Sequence, residues 1–467
     1  MPSAGYRGLY AARVFLTRRF ASARAELGQI SIAFALAVVF AAMYVRAPAL
    51  LALIVPTGMA AIMLSLALRV LIPRDTDDET ARWLRHVTGV MFVAHLLISL
   101  AINSSSQLVK TFGGDAVIYH LGAVQIVDHW NNGASITAEF VQTGKEGFFY
   151  TLAVLYWLFG TYQTAGLAVV AAFAAAVIPL VYDTTRRLFG KEAARIAALM
   201  VMLLPGFLVW TSQLLREAPI VFFLALAANA VVRLTERTTL AAYATLAASI
   251  AVLFTLRANV SLVAAGGLLV GLVVGRKGFL EGATAGAAAL TLMLVVVVAG
   301  GIGYQGYALT SNASLRSIST TRQALAQSAN TGIAPDTDIS TSGRAISFLP
   351  IGMVNFGLGP FPWQVRNGRQ LGGAVEALTL WFLWPSLWRG WRAAKRAVGF
   401  QWTALVAPAL FIAVALSLLI GNYGTVVRER LQVTIFLIPL AAYGWTLRKD
   451  PGAARWTAPV RALHRGS

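Results

Sequence analysis

The stretch ATAGAAALTLMLVVVV, residues 283–298, contains no charged side chain. Read as a helix it has no polar face to offer water, so a soluble fold would have to bury it on every side. About 20 apolar residues suffice for a helix to cross the hydrocarbon core of a bilayer, and residues 281–301 supply that length. Residues 30–45 are free of charge in the same way. Of the 467 residues, 58% are hydrophobic and only 12% are charged, whereas roughly a quarter are charged in soluble domains. A single soluble core could not hide so many such segments. The sequence therefore reads as an all-α polytopic membrane protein.

Working outward from that run, hydropathy places about twelve transmembrane spans. They fall at 28–46, 48–72, 88–107, 164–184, 193–211, 218–235, 239–256, 259–275, 281–301, 372–388, 402–420 and 431–447. With the N-terminus inside the cell, roughly two thirds of the 38 Lys and Arg residues sit in inner segments or at inner span ends, as the positive-inside rule requires. Both termini are then cytoplasmic, and the protein is expected in the cytoplasmic membrane. The net charge of +19 is explained by topology, which leaves nothing for nucleic acid to account for.

Residues 148–160 are apolar but too short to span comfortably, and a crossing there would put Arg186, Arg187 and Lys191 outside. They are expected as an interfacial or re-entrant helix on the outer side. A crossing balanced by another missed span is the alternative. Residues 1–27 are Arg-rich and interleaved with Leu9, Phe15 and Phe20, the pattern of a basic amphipathic segment lying on an anionic leaflet. No cleavable signal pattern is present, so the first span is expected to act as the signal anchor. The expected organisation is this cytoplasmic segment, a transmembrane core over 28–301 with a catalytic outer loop at 108–163, an outer loop or lid at 302–371, C-terminal spans over 372–447, and a basic cytoplasmic tail at 448–467.

The two long outer segments are where chemistry is expected, because loops longer than about 12–15 residues are usually functional or disordered. The first holds FGGDAVIYH at 112–120, which includes Asp115, Tyr119 and His120. Two glycines before Asp115 permit a sharp turn and a close approach to substrate, and a carboxylate there can accept a proton from a hydroxyl nucleophile. The same residue is also a natural N-cap for a helix over 116–129. Short outer connections add QLLRE at 213–217, with Arg216 and Glu217, and GNYGTVVRER at 421–430, with Arg428 and Arg430. Arg257 lies near the outer end of its span. Arginines on the outer side break the positive-inside rule; guanidinium binds phosphate and stays charged, while snorkelling to headgroups is the plainer reading. Arg216 and Glu217 serve equally as an anchor or as a structural ion pair. GPFPW at 359–363 is read as an interfacial aromatic belt before a sugar platform.

Cysteine is absent, which excludes disulfides and thiolate metal sites. His120, His129 and Asp128 lack zinc-ligand spacing, so no metal and no cofactor is expected; Asp115 with Glu217 sharing a divalent cation is the one arrangement left open. There is no Walker motif, dinucleotide fingerprint or nucleophile elbow.

The order of these motifs resembles the GT-C class of membrane glycosyltransferases, in the bacterial branch similar to protein mannosyltransferases and lipopolysaccharide glycosyltransferases. The resemblance rests on Gly114-Asp115 and Tyr119 in the first outer loop, then YTLAVLYWLFG at 150–160, VYDTTRRLFG at 181–190, AARIAAL at 193–199 and LLP at 203–205. Arg216-Glu217 resembles the charged pair opening the next span, and 422–430 resembles a late motif of bacterial relatives. It covers 88–260 well and the rest loosely. Two departures stand out: three spans precede the first loop, and no large C-terminal domain follows, which argues against the oligosaccharyltransferase branch.

The resemblance implies a GT-C-like helix arrangement and a sugar donor on polyprenyl phosphate. The acceptor would be a glycan, lipid or protein hydroxyl of the cell envelope. Asp115 would be the catalytic carboxylate, Arg428, Arg430 and Arg216 would hold the donor phosphate, and Glu217, Tyr119, His120 and Arg257 would support them. Membrane lipids would surround the whole. An O-antigen polymerase or ligase also handles lipid-linked glycans through an outer loop and arginines. A transporter or flippase would show polar mid-membrane residues and inverted repeats, and the spans here are bland.

Overall fold

The computed structural model describes residues 48–112, 114–137, 144–299, 314–329, 331–365 and 368–449. The expected basic segment at 1–27, the span at 28–46 and nearly all of the C-terminal tail lie outside them. Everything described is helical or connecting chain apart from one isolated bridge between Gly332 and Asn422.

The helices in chain order are α1 (Pro48–Leu71), α2 (Asp78–Asn103), α3 (Ser106–Phe112), α4 (Gly114–Asn132), α5 (Glu146–Phe159), α6 (Gln163–Phe189), α7 (Lys191–Leu203), α8 (Pro205–Trp210) and α9 (Glu217–Glu236). They continue with α10 (Leu240–Gly275), α11 (Phe279–Ala299), α12 (Leu315–Gln327), α13 (Ser342–Leu358), α14 (Gly368–Ala397), α15 (Thr403–Leu419), α16 (Tyr423–Glu429) and α17 (Leu431–Lys449). Among the described residues five helices are long and apolar enough to cross a membrane: Leu50–Leu71 within α1, α2, α6, α9 and α10. Shorter apolar helices stand at Glu146–Phe159, Phe279–Val295 and Thr403–Leu419. The chain is an all-helical, multi-pass membrane protein.

Helix α6 is deeply enclosed. Its alanines at 165, 168, 171, 174 and 175 are buried, and such small side chains let α1, α2, α7 and α9 pack close against it. Further along, the second half of α10 lies on α15, and α14 lies on α17. Gly390 and Gly444 make the last pair possible, since a β-carbon on either would collide with a backbone carbonyl of the facing helix.

Expected and observed helices can be compared at several places. The expected span at 193–211 is broken into α7 and α8, because Leu204 is extended and Pro205 opens a new helix. The expected spans at 239–256 and 259–275 are the two arms of α10, which doubles back at the non-helical Arg257. Ser261 Oγ donates to the Ile250 carbonyl at 2.9 Å, although eleven residues of straight helix would separate them by about 16 Å. Helix α2 starts ten residues before the expected 88, where Asp77 caps it by accepting from the Thr80 amide at 2.9 Å. Helix α5 has 14 residues, about 21 Å long, which is shorter than the roughly 30 Å hydrocarbon core.

The basic run of VYDTTRRLFG clamps helices together. Buried Asp183 accepts from Arg186 Nη2 at 3.0 Å, Arg187 Nε at 2.9 Å and Asn229 Nδ2 at 3.0 Å. Arg186 also reaches Asp75, and Arg187 reaches Glu236. Glu236 and Glu217 end the same helix, so this clamp and the outer-loop residues stand about 28 Å apart along α9, close to one bilayer core.

Candidate active site

Four breaks in helical structure meet at the Glu217 end of α9. The start of α4 brings Asp115; the turn before α5 brings Lys145; the segment between α8 and α9 brings Arg216 and Glu217; the reversal in α10 brings Arg257. The short helix α16 brings Arg428 and Glu429. Asn422 caps that helix by accepting from the Thr425 amide at 2.9 Å, which fixes where its last turn points.

Arg428 is the centre of the cluster. Its Nη1 donates to Asp115 Oδ2 at 2.5 Å, and its Nε stands 2.9 Å from Glu217 Oε1 as an ion pair. Burial opposes the charge on Arg428, but Glu217 and Asp115 more than offset it and push its pKa up. Asp115 lies inside the first turn of α4, not at its cap, because the helix already begins at Gly114. It is half-exposed. Partial burial would raise its pKa, yet the charges of Arg428, Lys145 and Arg216 hold it below the usual carboxylate range.

Arg257 pairs with Glu429, and both are buried. Arg216 donates from Nη1 to the Leu256 carbonyl at 2.9 Å. Among the described residues, Arg216 Nε and Arg257 Nε and Nη1 are buried donors that find no acceptor, a condition native proteins rarely tolerate without a ligand, water or ion. Lys145 stands beside them. Burial, then repulsion from Arg216 and Arg257, brings its pKa down to about 8.

Asp115, Lys145, Arg216, Arg257, Arg428 and Glu429 line a cavity of about 1400 Å³. Another part of its wall is apolar, built from Val260, Leu262 and Val263 of α10 and Ile412, Leu416 and Leu419 of α15. Leu262 on that wall is 54% exposed. Helix α12 from the second outer segment closes another side with Leu315, Ile318 and Leu325. Two backbone bonds tie the chain after α12 to the segment carrying Arg428: Ile333 N to Gly421 O at 2.7 Å and Tyr423 N to Thr331 O at 3.1 Å.

Of the residues expected from sequence, Asp115, Arg216, Glu217, Arg257 and Arg428 come together. Arg430 does not. It is buried against Glu376 at 3.4 Å, donates to the Gly359 carbonyl at 2.6 Å, and does not line the cavity. Two residues past Arg428, it points about 200° around the backbone, which turns it toward α14. Its place is a brace between α14 and the 356–359 turn, not a phosphate site. Tyr119 is wedged between Phe148 and Phe149, each 5.0 Å away, and binds α4 to α5. His120 turns from the cavity to the Tyr156 hydroxyl at 3.0 Å.

Lys145 and Glu429 were not anticipated. Lys145 belongs to the 108–163 segment that the expected topology puts on the outer side, so the charge test applied to Arg428 would also have marked it. Among the described residues no group of three potential ligands gathers around a metal position. The guanidinium of Arg428 itself bridges Asp115 and Glu217, the two carboxylates considered for a shared cation.

Residues 147–300 match a protein family described as dolichyl-phosphate-mannose-protein mannosyltransferase. A comparison with curated proteins returns no match. The fold is similar to that of ArnT from Cupriavidus metallidurans in the apo state, at 17% identity and TM-score 0.49, over 78% of this chain and 60% of that one. It is also similar to the same protein bound to undecaprenyl phosphate, at 18% identity and TM-score 0.47, over 75% and 59%. The archaeal oligosaccharyltransferase AglB from Archaeoglobus fulgidus, in complex with an inhibitory peptide and a dolichol-phosphate, is similar at 12% identity and TM-score 0.46, over 84% and 53%. The chain thus spans 60% or less of the length of these proteins. Asp115 and Arg428 both fall outside the family-matched residues. Over 147–300, the chain is similar to the mannosyltransferase family of the GT-C class that its ordered motifs resemble.

Proposed function

We propose that the protein is an inverting glycosyltransferase. It moves a sugar from a polyprenyl-phosphate donor to a hydroxyl acceptor on a cell-envelope glycan, lipid or protein, at the outer face of the cytoplasmic membrane. The observation that carries this reading is the contact of Asp115 with Arg428 in a cavity lined by cations and apolar along α10 and α15. A donor with a charged phosphate and a long apolar tail matches both linings. The family similarity over 147–300 supports the same donor class.

In this reading the donor phosphate lies among Arg428, Arg216, Arg257 and Lys145, where the buried guanidinium donors lack acceptors. The tail runs between Val263 and Leu416. Arg428 is shared between its carboxylates and the incoming phosphate, so donor binding draws the guanidinium away and frees Asp115. The acceptor oxygen then attacks the anomeric carbon from the face opposite the phosphate. Its proton passes to Asp115, the bond from the anomeric carbon to the phosphate oxygen breaks, and the electron pair leaves with the polyprenyl phosphate. Positioned proton transfer contributes about 10²–10⁴-fold, and stabilising the leaving phosphate about 2.7–4 kcal/mol per donor group. Helix α12 covers the site and limits water as a competing acceptor.

The test is release of free polyprenyl phosphate when the purified protein in nanodiscs meets a polyprenyl-phosphate sugar and crude envelope acceptor. Wild type is expected to release it and Asp115→Asn, equally well folded, is not. A folded Asp115→Asn protein with full activity would instead favour a polymerase or ligase, which needs no carboxylate at this place.

A further inference from the structure

The segment that carries Arg216 and Glu217 is irregular backbone in a fully enclosed place. Thr211, Ser212, Gln213, Leu214 and Leu215 are all buried, and they fall between the end of α8 and the start of α9. Non-helical chain at such depth persists only where other groups satisfy its polar atoms. Helix α2 supplies them. His95 Nδ1 lies 2.5 Å from Ser212 Oγ, and Ser99 Oγ donates to the Ser212 carbonyl. Both α2 residues are buried, in an otherwise bland span.

The proton arrangement follows from counting. Ser212 has one hydroxyl proton, which it donates to the Leu208 carbonyl at 2.6 Å. With that proton directed to the Leu208 carbonyl, the Ser212 oxygen accepts from His95, the arrangement of the tautomer protonated on Nδ1. The ring packs edge-on against Phe207 of α8, 5.6 Å between centres. His95 thus holds both the helix before the segment and the segment itself.

We propose that His95, with Ser99 beside it, is a positioning residue for the transfer reaction. It fixes residues 211–216 so that the Arg216 guanidinium meets the donor phosphate and the Glu217 carboxylate meets Arg428. The proposal rests on the glycosyltransferase reading. It adds a residue that touches neither substrate nor cavity, on a helix that contributes nothing else to the site.

The experiment compares His95→Leu, His95→Asn and Ser99→Ala in full-length protein in nanodiscs. Asparagine keeps an N–H donor near the position of Nδ1, whereas leucine fills the space without one. Two quantities are read: amide hydrogen exchange over residues 211–217, and kcat and KM for a polyprenyl-phosphate sugar. His95→Leu is expected to raise exchange over 211–217 and to raise donor KM about tenfold, the loss of one buried hydrogen bond, with the Asn variant near wild type. Ser99→Ala is expected to raise KM about threefold, and it carries the test if the Leu variant does not fold. Unchanged exchange, raised exchange with unchanged donor KM, or equal damage from Asn and Leu would each overturn the proposal. A wild-type protein that cleaves no such donor would instead defeat the transferase reading, and the exchange result would still decide whether His95 holds the segment.

Discussion

Arg428 and Asp115 are 313 positions apart in the chain, and their side chains meet at 2.5 Å. A second carboxylate, Glu217, stands 2.9 Å from the same guanidinium, so one cation holds the proposed base and the start of α9 together. Arg428 is therefore engaged by protein carboxylates on both sides. In the proposed reaction a donor phosphate would compete with Asp115 for Arg428, because guanidinium binds phosphate and carboxylate through the same fork.

Loss of Arg428 strands two acids. Arg428→Gln leaves Glu217 buried with no cation and is expected to cost about 3–5 kcal/mol of stability, seen as a lower thermal midpoint in detergent. Arg428→Lys keeps the charge but cannot reach both carboxylates with one planar group. It is expected to remain folded and to lose about a hundredfold in kcat/KM. Full activity in the Lys variant would show that the fork is not needed.

Asp115→Asn separates chemistry from folding. Asp115 is half-exposed, so its replacement is expected to shift stability by less than about 1 kcal/mol. Turnover is expected to fall about 10²–10⁴-fold. A matched pair of thermal melts and single-turnover assays checks both.

The pH profile is asymmetric for a stated reason. Asp115 is held below its ordinary range by nearby cations, so on the acid side the base stays ionised to a lower pH than a free aspartate does. Lys145 has its pKa lowered to about 8. It is charged below that pH and neutral above it, and only the charged form attracts phosphate, so donor KM is expected to rise as pH passes 8. Lys145→Arg is expected to abolish that rise, since arginine stays charged. Because the lowered pKa means that the fold disfavours the protonated lysine, stability from this group is lost below about pH 8 and recovered between 8 and the unfolded value near 10.5.

Arg430 gives the opposite result to Arg428. Arg430→Met alone is expected to cost about 3–5 kcal/mol by leaving Glu376 buried and uncompensated. Adding Glu376→Met is expected to restore most of it, since an apolar pair can replace a buried ion pair. Donor KM of the double variant is expected to match wild type. A raised KM would return Arg430 to the phosphate site.

Much of the fold was legible because the bilayer imposes length and apolarity on each span. α1, α6, α9, α15 and α17 stand within a few residues of where hydropathy set them. Where a boundary moved, local chemistry had acted: Pro205 broke one span, and Asp77 started another early. The site was partly legible because a charge on the wrong side of the membrane has few bland explanations. That test pointed to Arg428, which lines the cavity, and to Arg430, whose side chain points into protein. Direction around a seven-residue helix depends on the Asn422 cap and on the packing of α14, and neither is a property of composition. The bond between His95 and Ser212 spans 117 positions and leaves no local pattern.

A structure of the protein in nanodiscs with a non-cleavable polyprenyl-phosphonate sugar tests the central claim most directly. The phosphonate is expected within about 4 Å of Arg428, Arg216 or Lys145, with the anomeric carbon beside Asp115 and the tail between α10 and α15. A headgroup bound at the Asp183 end of α9, or held outside the cavity while Arg428 keeps both carboxylates, would contradict it.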